Sequence, residues 1–301
     1  MLLLLSYLLL FPPLFVLGPL AGLLAASRPT TLREWAWVTA AVLWLSTSLV
    51  RPGGLATQIL SAWALFLTGA FVVLMLSRER RLVSGALLAA LGGLGATTGW
   101  AWWLGTRWQE IQLAVAHMGW EARRQLLAQL QLDPARMASA RIMLDALADG
   151  VGVMAHLFPA VLILVSLPGL ALAWAWYHRL AVRPAGPAPE PFAHFRFSDQ
   201  LIWVVVACLA AFVLPAPEPV RDLVGNVAMV AGGLYAARGA AVIWGGIASF
   251  PLLILVVIGV GVLLILPVAL GGAFALGLAD TWVDFRRRFV SVDKEGRAPW
   301  K

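Results

Sequence analysis

Four polar residues of the C-terminal half lie within or beside long apolar runs, where they could do chemistry in a membrane. Arg238 is near the middle of the apolar run 223–250, and Asn226 is near its start. An arginine inside a bilayer costs at least about 2.5 kcal/mol unless it is paired or faces water. One interpretation is therefore that Arg238 contacts an anionic substrate inside a helix bundle, with Asn226 as a further substrate-binding candidate that could also hydrogen-bond a neighbouring helix.

The alternative is that Arg238 has a structural partner. It could extend toward the headgroups near Trp244, or it could pair with Asp280 or Asp284. These two acids are four residues apart and would share one face of a helix. They belong to a charged group that we interpret as an interfacial helix end with local ion pairs rather than a cation site: Asp280, Asp284, Arg286 and Arg287.

Recognised catalytic patterns are absent from the sequence. There is no phosphate-binding GxxxxGK[ST], no HExxH and no CxxC, and the four histidines are scattered over different segments. The net charge of +7 is carried by short loops between apolar runs and by the C-terminal end, without a basic stripe. We therefore predict no enzyme activity, no metal or other cofactor and no nucleic-acid partner, and we assign the basic loops to membrane topology and anionic lipid.

The elements that must position these residues are apolar helices. Hydrophobic residues make up 61% of the 301-residue chain and charged residues only 12%, whereas soluble domains carry roughly 25% charged residues. The predicted fold is all-α, a polytopic transmembrane helix bundle with a surface amphipathic helical hairpin. About eight hydrophobic segments are expected, at residues 1–27, 35–50, 55–76, 82–104, 151–177, 201–214, 223–250 and 251–279.

Composition divides the chain into four regions. Residues 1–104 form an N-terminal membrane region of four segments, 105–150 the amphipathic hairpin, 151–288 a C-terminal membrane region of four segments, and 289–301 a polar tail. In the hairpin, apolar residues recur in steps of three and four, as on one face of a helix. It could be a lid or partner platform, or only a solvated connector. The Pro-rich segment 183–191 is expected to be extended and exposed.

Smaller sequence signals concern helix packing and helix ends. Gly95 and Gly99 form a GxxxG pair, a pattern that permits close helix packing in lipid. Nine of the fifteen tryptophans, Trp174 among them, lie near the ends of runs and are interpreted as headgroup anchors. The run 251–279 is longer than one crossing needs, so a break is expected near Pro267. Basic loops and the basic C-terminal end would all lie in the cytoplasm if this break makes a re-entrant turn.

Three stretches carry a resemblance to a known family: 157–179, from Leu157-Phe158-Pro159 to His178-Arg179; 226–239, NVAMVAGGLYAARG; and 276–288, LGLADTWVDFRRR. They resemble the YybS-like bacterial membrane proteins, a family of unknown function, which in turn is distantly similar to the substrate-binding S components of energy-coupling-factor transporters. The resemblance implies an all-helical bundle in the bacterial inner membrane without known enzyme activity.

Two functions remain open at this stage. The chain could be a small-molecule binding or transport subunit, which would need a separate ATPase module, or a structural or assembly subunit that contacts other membrane subunits. A closed polar pocket lined by Asn226 or Arg238 would favour the first. A solid interior with a broad apolar outer face would favour the second.

Overall fold

The fold is described here from a computed structural model that covers residues 13–49, 53–77, 81–130, 145, 148, 150–247 and 250–283. Over these residues there are helices and no strands, which confirms the predicted all-α fold. The helices are α1 (Leu14–Ala26), α2 (Leu32–Leu49), α3 (Leu55–Ser77), α4 (Leu82–Trp103), α5 (Trp108–Leu130), α6 (Phe158–Leu180), the 3-10 turn η1 (Phe192–His194), α7 (Leu201–Val213), α8 (Glu218–Ile247), α9 (Leu252–Leu264) and α10 (Leu266–Val283).

Five of the described helices are long and apolar enough to cross a membrane: α3, α4, α6, α8 and α10. Three further apolar helices, α1, α7 and α9, are shorter. The predicted number of about eight segments is therefore approximate. The expected break in the last run is present, because α9 ends at Leu264 and Ile265 leaves helical geometry just before Pro267. The re-entrant turn itself stays a prediction.

The chain forms two compact units that divide after Pro189. In unit 1, which contains α1 to α6, the central element is α1. This helix is apolar on all sides and buries most of its residues against α2, α3 and α6, as expected for a helix without a polar face. Helix α1 approaches α3 closely because it presents glycines there. A Cβ added to Gly18 would lie 3.0 Å from the Thr68 side chain, and one added to Gly22 would lie 2.8 Å from the Val72 side chain. Helix α6, which the sequence places with the C-terminal region, packs on α1 and α4.

Helix α5 occupies the first part of the region 105–150, where the sequence predicts an amphipathic helix. Its Ile111 is buried in a cluster with Ile59 and Ala101, so the start of α5 packs against the start of α3 and the end of α4. Leu113 on another side of the helix is 61% exposed. Most of the second helix of the predicted hairpin lies outside the described residues.

The Pro-rich segment is largely exposed, as predicted, but it is not fully extended. Gly186 has a φ of +76° and turns the chain back onto α6. There the Trp174 indole N–H donates to the Pro187 carbonyl at 3.2 Å, and the Ala185 N–H donates to the Tyr177 hydroxyl at 2.8 Å. A tryptophan interpreted as a headgroup anchor thus fixes the course of the segment that ends unit 1.

Glu34 joins two connecting segments of unit 1. Its carboxylate accepts hydrogen bonds from the N–H groups of Thr30 and Thr31 at the start of α2, and from the Val182 N–H beyond the end of α6 at 2.9 Å. These backbone donors, Val182 first, favour the charged form and lower the pKa of Glu34 from 4.5 to about 2. The carboxylate therefore stabilises the fold only while it is ionised.

Replacing Glu34 with glutamine should lower the melting temperature of the detergent-solubilised protein at neutral pH. A folded-state pKa below the unfolded value means that the stabilisation is complete above about pH 4.5 and is lost as the pH falls toward 2. The difference in melting temperature between wild type and Glu34→Gln should thus shrink below pH 4.5. Glu110→Gln, at a carboxylate that accepts one 3.4 Å bond from the Arg107 N–H, is the control and should cost less. A difference that stays constant with pH would contradict this role of the Glu34 charge.

Unit 2 is built on α8. This helix of 30 residues would be about 45 Å long, which exceeds the roughly 30 Å hydrocarbon layer. It packs along α10 most extensively and also contacts α7 and η1. Helix α9 differs from the others, because its residues are exposed or half-buried throughout its described length. The packing of α8 against α10 positions the polar residues considered next.

Candidate functional site

A glycine contact between α8 and α10 sets the geometry of the site. A Cβ added to Gly239 would overlap the Ala273 carbonyl and lie 2.8 Å from the Gly277 nitrogen. A Cβ added to Gly277 would likewise overlap the Tyr235 carbonyl. The two helix backbones therefore touch at this point, so the side chains that flank the contact on each helix are brought within hydrogen-bonding distance.

Arg238, next to Gly239, uses this proximity to bind Asp280, which is three residues beyond Gly277. Its Nε donates to the Asp280 carboxylate at 2.9 Å, and its Nη2 donates to the Asp280 carbonyl at 3.1 Å. Nη1 donates to the carboxylate of Asp199, before α7, at 2.7 Å. The pairing with Asp280 that the sequence left open is thus present.

The two carboxylates that share Arg238 differ in their access to solvent. The Asp280 side chain is completely buried and the Arg238 side chain is 4% exposed, whereas the Asp199 side chain is 66% exposed. A buried ion pair is held in place by the cost of leaving either charge alone in apolar surroundings. An exposed carboxylate is stabilised by water when it leaves, so the contact with Asp199 is the exchangeable one.

Aromatic rings complete the surroundings of the guanidinium. The Arg238 Cζ lies 5.5 Å from the centroid of the Phe197 ring, within the range of a cation–π contact. Phe197 in turn meets Tyr235 edge to face, with centroids 5.1 Å apart, and Tyr235 meets Phe274 of α10 in the same manner at 6.3 Å. Phe197 and Asp199 therefore both contact the surface that Tyr235 and Arg238 present on α8.

Two buried hydroxyl groups border this cluster, Tyr235 Oη and Thr281 Oγ1. They are neighbours, but neither makes a hydrogen bond of standard geometry within the described part of the chain. A small shift could join them, yet a bond between two hydroxyls uses only one of their two O–H donors. At least one donor thus has no acceptor in this conformation, which is uncommon for a buried group.

Only some of the site residues predicted from the sequence lie together in the described part of the chain. Arg238 and Asp280 come together, and the Asp280 side chain is buried. Asn226 lies 12 residues before Arg238 on α8, about 18 Å along the helix, and donates to the Asp222 carbonyl of its own helix at 2.8 Å. Asp284, Arg286 and Arg287 lie outside the described residues.

Asp199 is the residue that sequence reasoning missed. Residues 190–283 contain five acids, all outside the apolar runs: Glu190, Asp199, Glu218, Asp222 and Asp280. A membrane-embedded arginine requires acceptors, so each of these acids was a candidate partner. Only the packing of the segment before α7 against α8 selects Asp199 among them.

The described residues contain no group of three His, Cys, Asp or Glu side chains that could hold a metal ion. A pocket in unit 1 is lined mainly by apolar side chains, including Ile59, Trp63 and Phe158, and no charged side chain lines it. The chemistry that the site around Arg238 offers is thus recognition of an anion by a guanidinium, with aromatic faces and hydroxyl donors beside it.

The chain belongs to the family described as predicted membrane protein (DUF2232), whose match covers residues 1–281. This confirms the expectation of a membrane protein family of unknown function and extends it beyond the three C-terminal stretches that suggested it. No curated protein and no solved structure matches the chain.

Proposed function

We propose that this member of the DUF2232 family is a non-enzymatic subunit of the bacterial inner membrane that binds a small anionic molecule at Arg238, for uptake or sensing. The observation that carries the proposal is the unequal burial of the two partners of Arg238. A ligand carboxylate or phosphate could replace the exposed Asp199 while Asp280 stays paired. Because the sequence has no phosphate-binding loop, energy for transport would come from a separate ATPase module.

The charges at the site support exchange rather than a purely structural role. Arg238 and Asp280 neutralise each other, so a structural pair needs no further acid. Asp199 adds one negative charge at the exposed edge of the pair and accepts a hydrogen bond from the guanidinium Nη1. A monoanionic ligand in place of Asp199 would leave the charge around Arg238 unchanged, so exchange would add no unpaired charge to the apolar surroundings.

The proposal is tested by removing the competing charge. In purified, detergent-solubilised protein, Asp199→Asn should bind acetate or inorganic phosphate about threefold more tightly than wild type, since loss of an exposed ion pair is worth a fraction of a kcal/mol to the competitor. Titration calorimetry at constant ionic strength measures this. Glu190→Gln makes the same charge change at another exposed acid of unit 2 and should have no such effect. If neither anion binds to wild type or to Asp199→Asn, the pairing at Arg238 is only structural.

A second candidate function, a structural or assembly subunit, is favoured by α9. Three of its leucines are largely exposed, with Leu253, Leu263 and Leu264 at 76%, 69% and 81%. Thirteen helical residues span about 20 Å, less than the hydrocarbon layer. Such an apolar helix needs either lipid or a partner subunit around it. Co-purification in mild detergent distinguishes the candidates, because an ATPase module supports transport and a larger complex without one supports assembly.

A further inference from the structure

We infer that the ligand of this site is an aromatic carboxylate, whose place Phe197 and Asp199 occupy in the present conformation. The inference rests on the proposed anion site and adds the chemical class of the ligand. Phe197 and Asp199 are two residues apart in the segment that joins η1 to α7 and has no regular secondary structure before the turn at Asp199. Together they present a carboxylate and an aromatic ring to one surface of α8.

The contacts of these two side chains define what a ligand would have to offer. The Asp199 carboxylate accepts a hydrogen bond from Nη1 of Arg238 at 2.7 Å, and a ligand anion would occupy the same position. The Phe197 ring lies over the same guanidinium and stands at 86° to the Tyr235 ring. A guanidinium favours the face of an aromatic ring, and an aromatic ring favours the edge of another. The surface that remains when both side chains withdraw therefore selects a carboxylate attached to an aromatic ring over an aliphatic acid.

The buried hydroxyl groups of Tyr235 and Thr281 point independently to a ligand. Tyr235 is completely buried, yet its hydroxyl and that of Thr281 leave at least one donor without an acceptor. The Tyr235 ring itself forms the wall against which Phe197 packs. A polar substituent on the ligand ring, such as a hydroxyl, would supply an acceptor that Phe197 lacks. Hydroxylated aromatic acids are therefore the class expected to bind best.

The test compares acetate, cyclohexylacetate, phenylacetate and 4-hydroxyphenylacetate as probes by titration calorimetry on the full-length protein. Cyclohexylacetate has the same carboxylate and a similar apolar size, but no aromatic face, so it controls for partition into the detergent. We expect Asp199→Asn to bind phenylacetate about fivefold more tightly than cyclohexylacetate, as one favourable ring contact implies. Adding Phe197→Ala should increase phenylacetate binding further, and by a larger factor than acetate binding, because acetate has no ring to take the place of the Phe197 ring.

Matched variants separate recognition from folding. Phe192→Ala removes an aromatic side chain of the same segment that contacts Phe195, and it should leave all four affinities unchanged. Tyr235→Phe removes only a hydroxyl and should abolish the preference for 4-hydroxyphenylacetate over phenylacetate. If acetate and cyclohexylacetate bind as tightly as phenylacetate, the anion site stands and the aromatic ligand class is wrong. If no probe binds to any variant, both the class and the proposed function are wrong.

Discussion

Replacing Arg238 with leucine is expected to destabilise the protein by about 3–5 kcal/mol, the usual cost of removing one partner from a buried ion pair. The Asp280 carboxylate is completely buried, and two guanidinium nitrogens donate to this residue. Without Arg238, the buried Asp280 carboxylate loses these donors, which raises the free energy of the folded protein. The loss should appear as a large fall in the temperature at which the solubilised protein ceases to elute as a single species in size-exclusion chromatography.

The double variant Arg238→Leu with Asp280→Leu gives the decisive comparison. Replacing both charges with apolar side chains removes the buried carboxylate that has lost its guanidinium donors, so most of the lost stability should return. Asp199→Asn is the matched control for an exposed partner of the same arginine, and it should cost less than about 1 kcal/mol. If the double variant is as unstable as Arg238→Leu, the loss of stability comes from the introduced leucine rather than from the buried Asp280 carboxylate. An equal cost for Asp199→Asn would contradict the distinction between the two carboxylates.

Local signals in the sequence predicted the helices and the need of Arg238 for a partner. Apolar runs of 14 to 29 residues can only be helices in lipid, and Pro267 limits how far the last helix extends backward. Asp280 was a candidate because it follows an apolar run directly. Asp199 was not identified, because its distance to Arg238 depends on how the segment before α7 folds against α8. Trp174 was taken for a headgroup anchor, and its bond to Pro187 could not be predicted because that bond needs the turn at Gly186.

Glycine spacing was a misleading guide to helix contacts. The GxxxG pair of Gly95 and Gly99 suggested close packing, but a Cβ at either residue would meet nothing within 4 Å in the described part of the chain. Gly93 in the same helix instead packs on the Leu67 backbone, with 3.2 Å to its Cα. Gly239 and Gly277 carry no such pattern because each helix contributes one of them. A search for GxxxG therefore misses this contact, because the residue four positions earlier is Ala273 on α10 and Tyr235 on α8.

Gly239→Ala and Gly277→Ala are therefore expected to destabilise the protein, each by about 2 kcal/mol or more. The added methyl group would overlap a backbone carbonyl of the facing helix, and a backbone cannot rotate away as a side chain can. The helices would have to separate, which would also lengthen the bonds between Arg238 and Asp280. The same thermal measurement in detergent should show the loss for both variants.

Gly232→Ala on α8 and Gly272→Ala on α10 are the matched controls, since a Cβ at either residue would meet no described atom within 4 Å. Alanine favours the helix over glycine by up to about 1 kcal/mol, so these variants should be neutral or stabilising. Glycine-to-alanine substitutions on one helix are thus expected to destabilise the protein where the facing backbone is in contact, and to be neutral or stabilising where it is not. If Gly239→Ala and Gly232→Ala have equal effects, the two helices do not touch at Gly239, and the positioning of Asp280 beside Arg238 would need another cause.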